Sequence, residues 1–236
     1  MIPLRDTIPS ARPPVVNVLL IAACTAVFVF ELSLGSGLDG FIKSHAFVPV
    51  RFLHPGAFGV GLLFNVKSIL ITMFLHAGWL HLIGNMWFLW IFGDNVEDAL
   101  GHLGYLAFYL GCGVVAAVGQ AVVSPMSYVP MVGASGAIAG VLGGYLVWFP
   151  WSRVKTLIFL GFFFTFADIP APIFLIVWFV IQAFSGTLSL ATASAGGGGV
   201  AFFAHIGGFA AGVIIALILK QTGRVRPRRE QAFYWE

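Results

Sequence analysis

The sequence predicts an all-α polytopic membrane protein, built as a bundle of six transmembrane helices. Hydrophobic residues occupy 59% of the 236 positions and charged residues only 9%, and the mean hydropathy is +0.97. This balance lies outside that of soluble domains. A spanning helix needs about 20 apolar residues, so a chain of this length has room for six spans joined by modest loops. We expect one membrane domain and no sizeable soluble domain beside it.

The predicted spans follow the apolar runs of the chain. Pro13 and Pro14 stand directly before the first run, and prolines are tolerated at the start of a helix. The predicted spans are residues 15–34, 80–92, 103–123, 135–148, 173–184 and 202–219. The membrane domain therefore covers residues 15–220, between an N-terminal segment of residues 1–14 and a basic tail of residues 221–236.

Three stretches between the spans need a separate interpretation. Residues 35–79 are too apolar for a free loop and too broken for a span, which predicts a subdomain partly embedded at the membrane interface. Residues 154–166 are apolar but too few for a span, so they are predicted to lie in or near the interface. Residues 185–199 end in four glycines and predict a flexible loop, either a lid over a site or a slack connector.

The distribution of basic residues predicts the orientation of the chain. With six spans, nine of the twelve lysines and arginines fall on one side of the membrane. The nine are Arg5, Arg12, Arg153, Lys155, Lys220, Arg224, Arg226, Arg228 and Arg229, against Lys43, Arg51 and Lys67 on the other side. The positive-inside rule then places both termini in the cytoplasm. The basic tail fits anionic lipid headgroups, and no nucleic-acid partner is expected.

The two cysteines, Cys24 and Cys112, both fall inside apolar runs, which argues against a disulfide framework. The segment "IAAC" that ends at Cys24 is similar to a lipoprotein cleavage site after a short signal peptide. The apolar run continues past Cys24 to Leu34, which favours an uncleaved span.

Four polar side chains in the predicted spans are expected at one depth in the membrane. His81 and Asn85 are four residues apart, so they share one face of span two. Ser135 lies in the first turn of span four, and His205 lies near the start of span six. Spans two, four and six all descend from the outer face in the six-span topology. The four groups therefore share one leaflet, where ionisable residues tend to be functional.

Small residues indicate that spans four and six touch. One stripe contains Ser135, Ala139 and Gly143, and another contains His205, Gly208 and Gly212. Such stripes let helix backbones approach closely in lipid, which brings Ser135 within reach of His205. Serine beside histidine is a nucleophile with its general base, and His81, Asn85 and the Ser135 backbone N–H are predicted to stabilise an oxyanion. None of the nine acidic residues is placed to orient His205, so a dyad is predicted.

Other interpretations of these residues stay open. A single serine or histidine in a span often only makes an interhelical hydrogen bond. His76 and His81 could be a metal pair, but they lack zinc-motif spacing and an acidic ligand, so neither metal nor cofactor is predicted. A transporter would need polar groups through both leaflets, whereas the inner halves of the spans are nearly all apolar.

Three segments carry a family resemblance. "FLHAGWLHLIGNM", "GASGA" and "AHIGGFAAG", in this order on spans two, four and six, resemble the rhomboid intramembrane serine proteases in their six-span bacterial form. "VEDALG", residues 96–101, is similar to the family's acidic-to-glycine stretch after span two. The resemblance implies Ser135 as nucleophile and His205 as base. It also implies His81 and Asn85 in the oxyanion hole, Gly133 in the turn before the serine, and Gly208 and Gly212 in the packing surface of span six.

The resemblance also implies substrates and a location. The family cleaves single-span membrane proteins near the outer membrane surface, and the compact form implies the inner (plasma) membrane. The alternative is a catalytically inactive relative that binds membrane helices, although this chain keeps both Ser135 and His205. The oligomeric state is not predicted.

The chain departs from the family pattern at two places. Lys67 and Ser68 stand where members often carry a Trp-Arg pair, and Ala139 stands where many carry Tyr or Phe packed on the histidine. The resemblance then leaves two alternatives: another aromatic residue, Phe202 or Phe203, holds His205, or His205 is less well ordered.

Overall fold

The chain folds into a bundle of α-helices with one small sheet attached, in a computed structural model that describes residues 2–192 and 202–225. The helices are α1 (Val15–Ser33), α2 (Leu38–His45), α3 (Pro49–Leu53), α4 (Pro55–Phe58), α5 (Leu62–Thr72), α6 (Trp79–Leu100), α7 (His102–Val123), α8 (Ser135–Trp148), α9 (Ala171–Thr192) and α10 (Phe202–Gln221). The strands are β1 (Ile2–Asp6), β2 (Arg153–Leu160) and β3 (Phe163–Pro170). The predicted class, a polytopic membrane bundle of α-helices, is confirmed, although the small sheet was not predicted.

The apolar helices make this a membrane protein. Among the described residues, α1, α7 and α10 are long and apolar enough to cross a membrane by length and composition. The fourth predicted span, residues 135–148, agrees with α8 at both ends, and the first, third and sixth agree with α1, α7 and α10 to within two residues. The number of helices that cross the membrane stays a prediction.

Helices α6 and α9 are longer than the second and fifth predicted spans. Helix α6 continues to Leu100 because polar side chains in its last turns, Asn95 and Glu97 among them, are paired inside the protein. Helix α9 begins at Ala171 and continues to Thr192, so residues 185–192 of the predicted flexible loop are helical. Serine, glycine and threonine cost a helix only about 1 kcal/mol or less each, which this apolar helix tolerates. Residues 193–199 of that loop lie outside the described residues.

The predicted interfacial subdomain, residues 35–79, is built of the short helices α2 to α5. Its side chains Phe47, Ile69 and Met73 are buried in one cluster with Ala117 and Ala121 of α7. This cluster holds the subdomain against the bundle near the end at which α7 stops and α8 starts.

The apolar run of residues 154–166 forms a β-hairpin, and the N-terminal segment adds a third strand to it. The strand order is β1-β2-β3, and both pairings are antiparallel. The run is rich in aromatic and β-branched residues, which favour strands, and Gly161 makes the turn with φ +69. Sequence reasoning missed the pairing of β1 with β2 because the two strands are far apart in the chain, and it did not identify residues 154–166 as strands.

One end of the bundle carries a network of buried polar side chains, and we call it the Glu97 end. Glu97 of α6 accepts hydrogen bonds from the backbone N–H groups of Val16 (2.9 Å) and Asn17 (2.7 Å), in the first turn of α1. The Asn17 side chain donates to the Leu89 carbonyl at 3.0 Å and accepts from the Tyr105 hydroxyl at 2.7 Å. These bonds satisfy donors that a helix start leaves without intrahelical partners.

Strand β1 is tied to the same end through Asp6. The Tyr145 hydroxyl donates to the Asp6 carboxyl at 2.5 Å, and the Asn95 amide donates to it at 2.8 Å. Burial raises the pKa of Asp6 to about 8, although the hydrogen bond from Tyr145 acts in the opposite direction. The N-terminal strand is therefore part of the folded domain.

Helix α8 lies at the centre of the bundle and touches α10 backbone to backbone. A β-carbon at Gly208 would overlap the carbonyl group of Gly136, and one at Gly212 would overlap that of Gly140. Such close approach is available only to glycine. It sets the two helices side by side with their first turns at the same end, which we call the serine end.

Candidate active site

Ser135 is the first residue of α8, at the serine end of the bundle. The backbone before it turns at Gly133, where φ is +125, a conformation that residues with a β-carbon rarely adopt. The first N–H groups of a helix have no intrahelical partner, and the helix dipole favours negative charge there. The serine hydroxyl thus stands beside backbone donors suited to a developing anion.

His205 lies in the first turn of α10 and faces the serine. Its Nε2 atom is 2.7 Å from Oγ of Ser135, and the histidine is 7% exposed. The glycine contacts between α8 and α10 bring the two side chains to this distance. A hydroxyl and an imidazole in hydrogen-bond contact are the geometry that nucleophilic catalysis requires.

Two aromatic rings flank His205. The Trp178 ring, from α9, lies 6.2 Å from the His205 ring with an interplanar angle of 37°. The Phe202 ring lies 6.1 Å away and is edge-on at 87°. Phe202 is one of the two residues that the resemblance implied for this role. Trp178 was not predicted, because a tryptophan within an apolar run gives no sign of the residue that it contacts.

His81 lies on the other side of the serine. A β-carbon at Gly133 would lie 2.7 Å from Cε1 and from Nε2 of the His81 ring, and 3.6 Å from Oγ of Ser135. Only glycine at position 133 lets the ring approach this closely. The Nδ1 atom of His81 accepts a hydrogen bond from the Ala77 N–H at 3.3 Å. In neutral histidine the proton then sits on Nε2, the atom that faces Gly133.

Asn85 follows His81 by one helical turn on α6. The side chain is 8% exposed, and its Nδ2 atom has no hydrogen-bond partner among the described residues. A buried amide without a partner is rare and costs roughly 1–3 kcal/mol. Its two N–H groups are available to a ligand.

Glu31 and His76 form a second layer behind His81, and sequence reasoning gave neither of them a role. The Glu31 carboxyl, at the end of α1, accepts the backbone N–H of His76 at 3.1 Å. The His76 ring lies 5.3 Å from the His81 ring, and its Nδ1 donates to the Phe74 carbonyl at 3.1 Å. Burial, and then the neighbouring His81, lower the pKa of His76 to about 4, so it is neutral at pH 7. The sequence signal for this pair was Glu31, a single acidic residue near the end of an apolar run.

The site combines a hydroxyl, an imidazole in contact with it, and donors from His81, Asn85 and the start of α8. This set can support attack on a carbonyl group and can stabilise the resulting oxyanion. Within residues 2–192 and 202–225, no three His, Cys, Asp or Glu side chains converge on one point to hold a metal ion.

Comparisons with known proteins give a family for this arrangement. The family model for the Rhomboid domain matches residues 64–222, more than half of the chain. The chain is 32% identical to rhomboid-like protein 11, chloroplastic, of Arabidopsis thaliana over 159 residues, which is 63% of this chain and 50% of the relative. It is 36% identical to the human presenilin-associated rhomboid-like protein, mitochondrial, over 101 residues, which is 41% of this chain and 26% of the relative.

A bacterial relative is similar over a shorter part. The chain is 40% identical to rhomboid protease GluP of Bacillus subtilis over 78 residues, which is 33% of this chain and 15% of the relative. In each comparison the chain spans half or less of the length of the curated relative.

Proposed function

Because the chain belongs to the rhomboid family, we propose that it is an intramembrane serine endopeptidase in which Ser135 is the nucleophile and His205 the general base. The observation that carries the proposal is the 2.7 Å separation between Ser135 Oγ and His205 Nε2. The domain is proposed to be a six-span unit of residues 15–220, with both termini in the cytoplasm and the serine end near the outer face of the inner membrane.

In the first half of the reaction, Ser135 Oγ attacks the carbonyl carbon of the scissile peptide bond. The hydroxyl proton passes to Nε2 of His205 as the new C–O bond forms. The carbonyl oxygen becomes an oxyanion beside three donors: Nε2–H of His81, Nδ2 of Asn85 and the Ser135 backbone N–H. The C–N bond then breaks, and His205 returns the proton to the leaving amine.

In the second half, water hydrolyses the acyl-enzyme. His205 takes a proton from the water as its oxygen attacks the ester carbon, the same donors stabilise the second oxyanion, and Ser135 Oγ regains a proton as it leaves. The cycle is balanced without any cofactor.

The proposed substrates are single-span membrane proteins. A helix in hydrocarbon has all its backbone groups bonded internally, so the peptide bond must be presented by a locally unwound segment. Helix-breaking residues near the cut are therefore expected, together with entry from the lipid at the serine end. One relative of the chain, rhomboid protease GluP of Bacillus subtilis, carries the name of a protease.

The test is covalent labelling of the full chain, purified in detergent, by a fluorophosphonate probe. This probe needs no knowledge of the substrate. Mass spectrometry should find the adduct at Ser135, whereas Ser135→Ala and His205→Ala should lose labelling by about 10³-fold or more. Ser152→Ala is the matched control, because Ser152 is a buried serine that lies outside the site and its hydroxyl donates to the Phe149 carbonyl at 2.8 Å.

The outcomes separate the proposal from its alternative. Labelling that survives in a folded Ser135→Ala variant would refute Ser135 as the nucleophile. A folded parent chain that takes no label at all would favour the helix-binding relative over the protease. Where the parent is labelled, cleavage of a single-span reporter in proteoliposomes then tests the substrate class.

A further inference from the structure

Thr72, the last residue of α5, joins the subdomain of residues 35–79 to the segment before Ser135. Its hydroxyl accepts the Phe47 N–H at 2.7 Å and donates to the Met131 carbonyl at 3.0 Å. Its own carbonyl accepts the Gly133 N–H at 3.0 Å. A fourth bond, from the Met131 N–H to the Phe47 carbonyl at 2.8 Å, closes the same brace. We call these four bonds the Thr72 brace.

The brace acts on backbone that lies directly against the candidate site. Gly133 contacts the His81 ring, and the position of its β-carbon would be 3.6 Å from Oγ of Ser135. The φ angle of Gly133 is +125. Glycine can adopt this conformation, but it does not prefer it strongly, because glycine also populates many other conformations. An external restraint is needed, and the bond from Gly133 N–H to the Thr72 carbonyl supplies it.

The brace is buried, and the Thr72 hydroxyl acts in it both as a donor and as an acceptor. Thr72 is 4% exposed and Phe47 is fully buried. The threonine hydroxyl has one donor, and that donor is engaged with the Met131 carbonyl while an oxygen lone pair is engaged with the Phe47 N–H. Loss of the hydroxyl would leave a buried donor and a carbonyl without partners, so the segment would shift to find new ones.

Lys67 and Ser68, which stand where family members often carry a Trp-Arg pair, do not provide an equivalent tie. Lys67 is exposed, and the Ser68 hydroxyl donates to the Asn65 carbonyl at 2.9 Å, within α5. Thr72 is the residue of α5 whose hydrogen bonds reach the segment before the serine.

We propose that Thr72 is a positioning residue of the protease, holding Met131 and Gly133 so that the backbone before Ser135 stays in register with the His81 ring and the oxyanion donors. The inference rests on the proposed function. It predicts that Thr72 affects the rate constant for attack by Ser135 more than it affects binding of a fluorophosphonate probe. The reason is that the brace positions the backbone before Ser135 and includes no bond to the Ser135 hydroxyl itself.

The experiment compares Thr72→Val, which keeps the branched shape and removes the hydroxyl, with Thr72→Ser, which keeps the hydroxyl. Fluorophosphonate labelling is followed against time at several probe concentrations. The labelling rate constant at saturating probe should fall at least about tenfold in Thr72→Val, with less than about a twofold change in the half-saturating concentration. Thr72→Ser should recover the parental rate constant to within about threefold.

A matched control separates positioning from general destabilisation. Thr156 in β2 is also a fully buried threonine whose hydroxyl donates to a backbone carbonyl, that of Val154 at 3.0 Å. Thr156→Val should lower the melting temperature without lowering the labelling rate constant of the folded protein. An equal loss of rate in both valine variants, or a parental rate in Thr72→Val, overturns the proposal.

Two further outcomes are a Thr72→Val variant that does not fold and a parent chain that is not labelled. If Thr72→Val does not fold, Thr72→Cys replaces it, because a thiol is a weaker hydrogen-bonding group than the hydroxyl of Thr72→Ser in the same position. The cysteine variant must then label at least about threefold more slowly than the serine variant, and equal rates overturn the proposal. A parent chain that is not labelled at Ser135 refutes the proposed function itself, which a parental rate in Thr72→Val does not.

Discussion

At the Glu97 end of the bundle, the buried Asn17 amide donates one hydrogen bond and accepts another, whereas at the serine end the Nδ2 atom of the buried Asn85 has no partner in the described parts of the chain. The two asparagines are 1% and 8% exposed, so burial does not account for the contrast. What differs is the use of the side chain: Asn17 uses both its amide nitrogen and its amide oxygen in hydrogen bonds within the protein, whereas the Asn85 amide nitrogen stays available.

The contrast indicates that buried hydrogen bonds stabilise the Glu97 end, whereas an unpaired buried donor lowers stability at the serine end. Bonded polar groups such as Glu97 hold α1, α6 and α7 together. An unpaired buried donor costs roughly 1–3 kcal/mol, and it is retained at the end where Ser135 and His205 meet. Substitution of the unpaired Asn85 should therefore reduce activity with little effect on stability, and substitution of the bonded Glu97 should do the reverse.

The largest expected effect is on activity, for Asn85→Ala. Removing one oxyanion donor typically lowers kcat by about 10²–10³-fold. No hydrogen bond within the described residues is lost with the Asn85 Nδ2 atom, so the melting temperature should stay the same or rise. Labelling rates and thermal unfolding in the same detergent measure both quantities.

Asn17→Ala is the matched control for this prediction. It removes a buried asparagine that has two hydrogen bonds, so the melting temperature should fall while the labelling rate of the folded protein stays near that of the parent. A large loss of stability in Asn85→Ala, without a loss of labelling, would contradict the comparison.

The second effect is on stability, for Glu97→Ala. The change leaves the backbone N–H groups of Val16 and Asn17 without their acceptor, and the free energy of unfolding should fall by roughly 2–3 kcal/mol because buried donors are orphaned. Denaturation in mixed micelles with increasing SDS measures the change. Activity per folded molecule should not change.

The neighbouring Asp98 provides the control for Glu97. Its carboxyl lies 3.9 Å from the Arg12 Nε atom, and the arginine side chain is 63% exposed. Exposed ion pairs contribute about 0–1 kcal/mol, so Asp98→Asn should scarcely change the unfolding midpoint. Equal losses for Asp98→Asn and Glu97→Ala would show that the end responds to net charge and not to the buried hydrogen bonds.

Helical spacing and topology were sufficient to predict which polar side chains come together. Ser135, His205, His81 and Asn85 each lie on a helix that begins at the serine end, and alternation of the spans places those helix starts at one end of the bundle. The small-residue stripes predicted the contact between α8 and α10, whose glycines meet backbone to backbone. The catalytic roles of these residues stay a proposal.

Features that depend on distant segments could not be predicted in the same way. Glu31 meets His76 and Thr72 meets Met131 only because residues 35–79 fold back over the bundle, and no periodicity in the sequence encodes that path. Strand β1 pairs with β2 across most of the chain. The polar end of α6 falls outside the predicted span, although it is helical and its side chains are bonded to the N-terminal segment and to the first turn of α1.

A smaller effect on labelling than that of Asn85→Ala is expected at the contact that joins the two halves of the proposed dyad. Gly208→Ala places a β-carbon on the Gly136 carbonyl, so α10 must move away from α8. Overpacking of this kind costs about 1–3 kcal/mol, and because His205 moves with α10, labelling should also fall, by about tenfold. Gly208 should therefore affect both properties, unlike Asn85 or Glu97.

The adjacent residue, Gly207, provides the control for Gly208→Ala. A β-carbon at Gly207 would lie 3.6 Å from the Ala116 Cα and from the Val115 carbonyl oxygen, which is ordinary van der Waals contact with α7. Gly207→Ala should thus leave labelling and the melting temperature unchanged, or raise stability slightly because alanine favours a helix. If Gly207→Ala were as damaging as Gly208→Ala, contact of α10 with α7 would control the serine–histidine distance, and the α8–α10 contact would not.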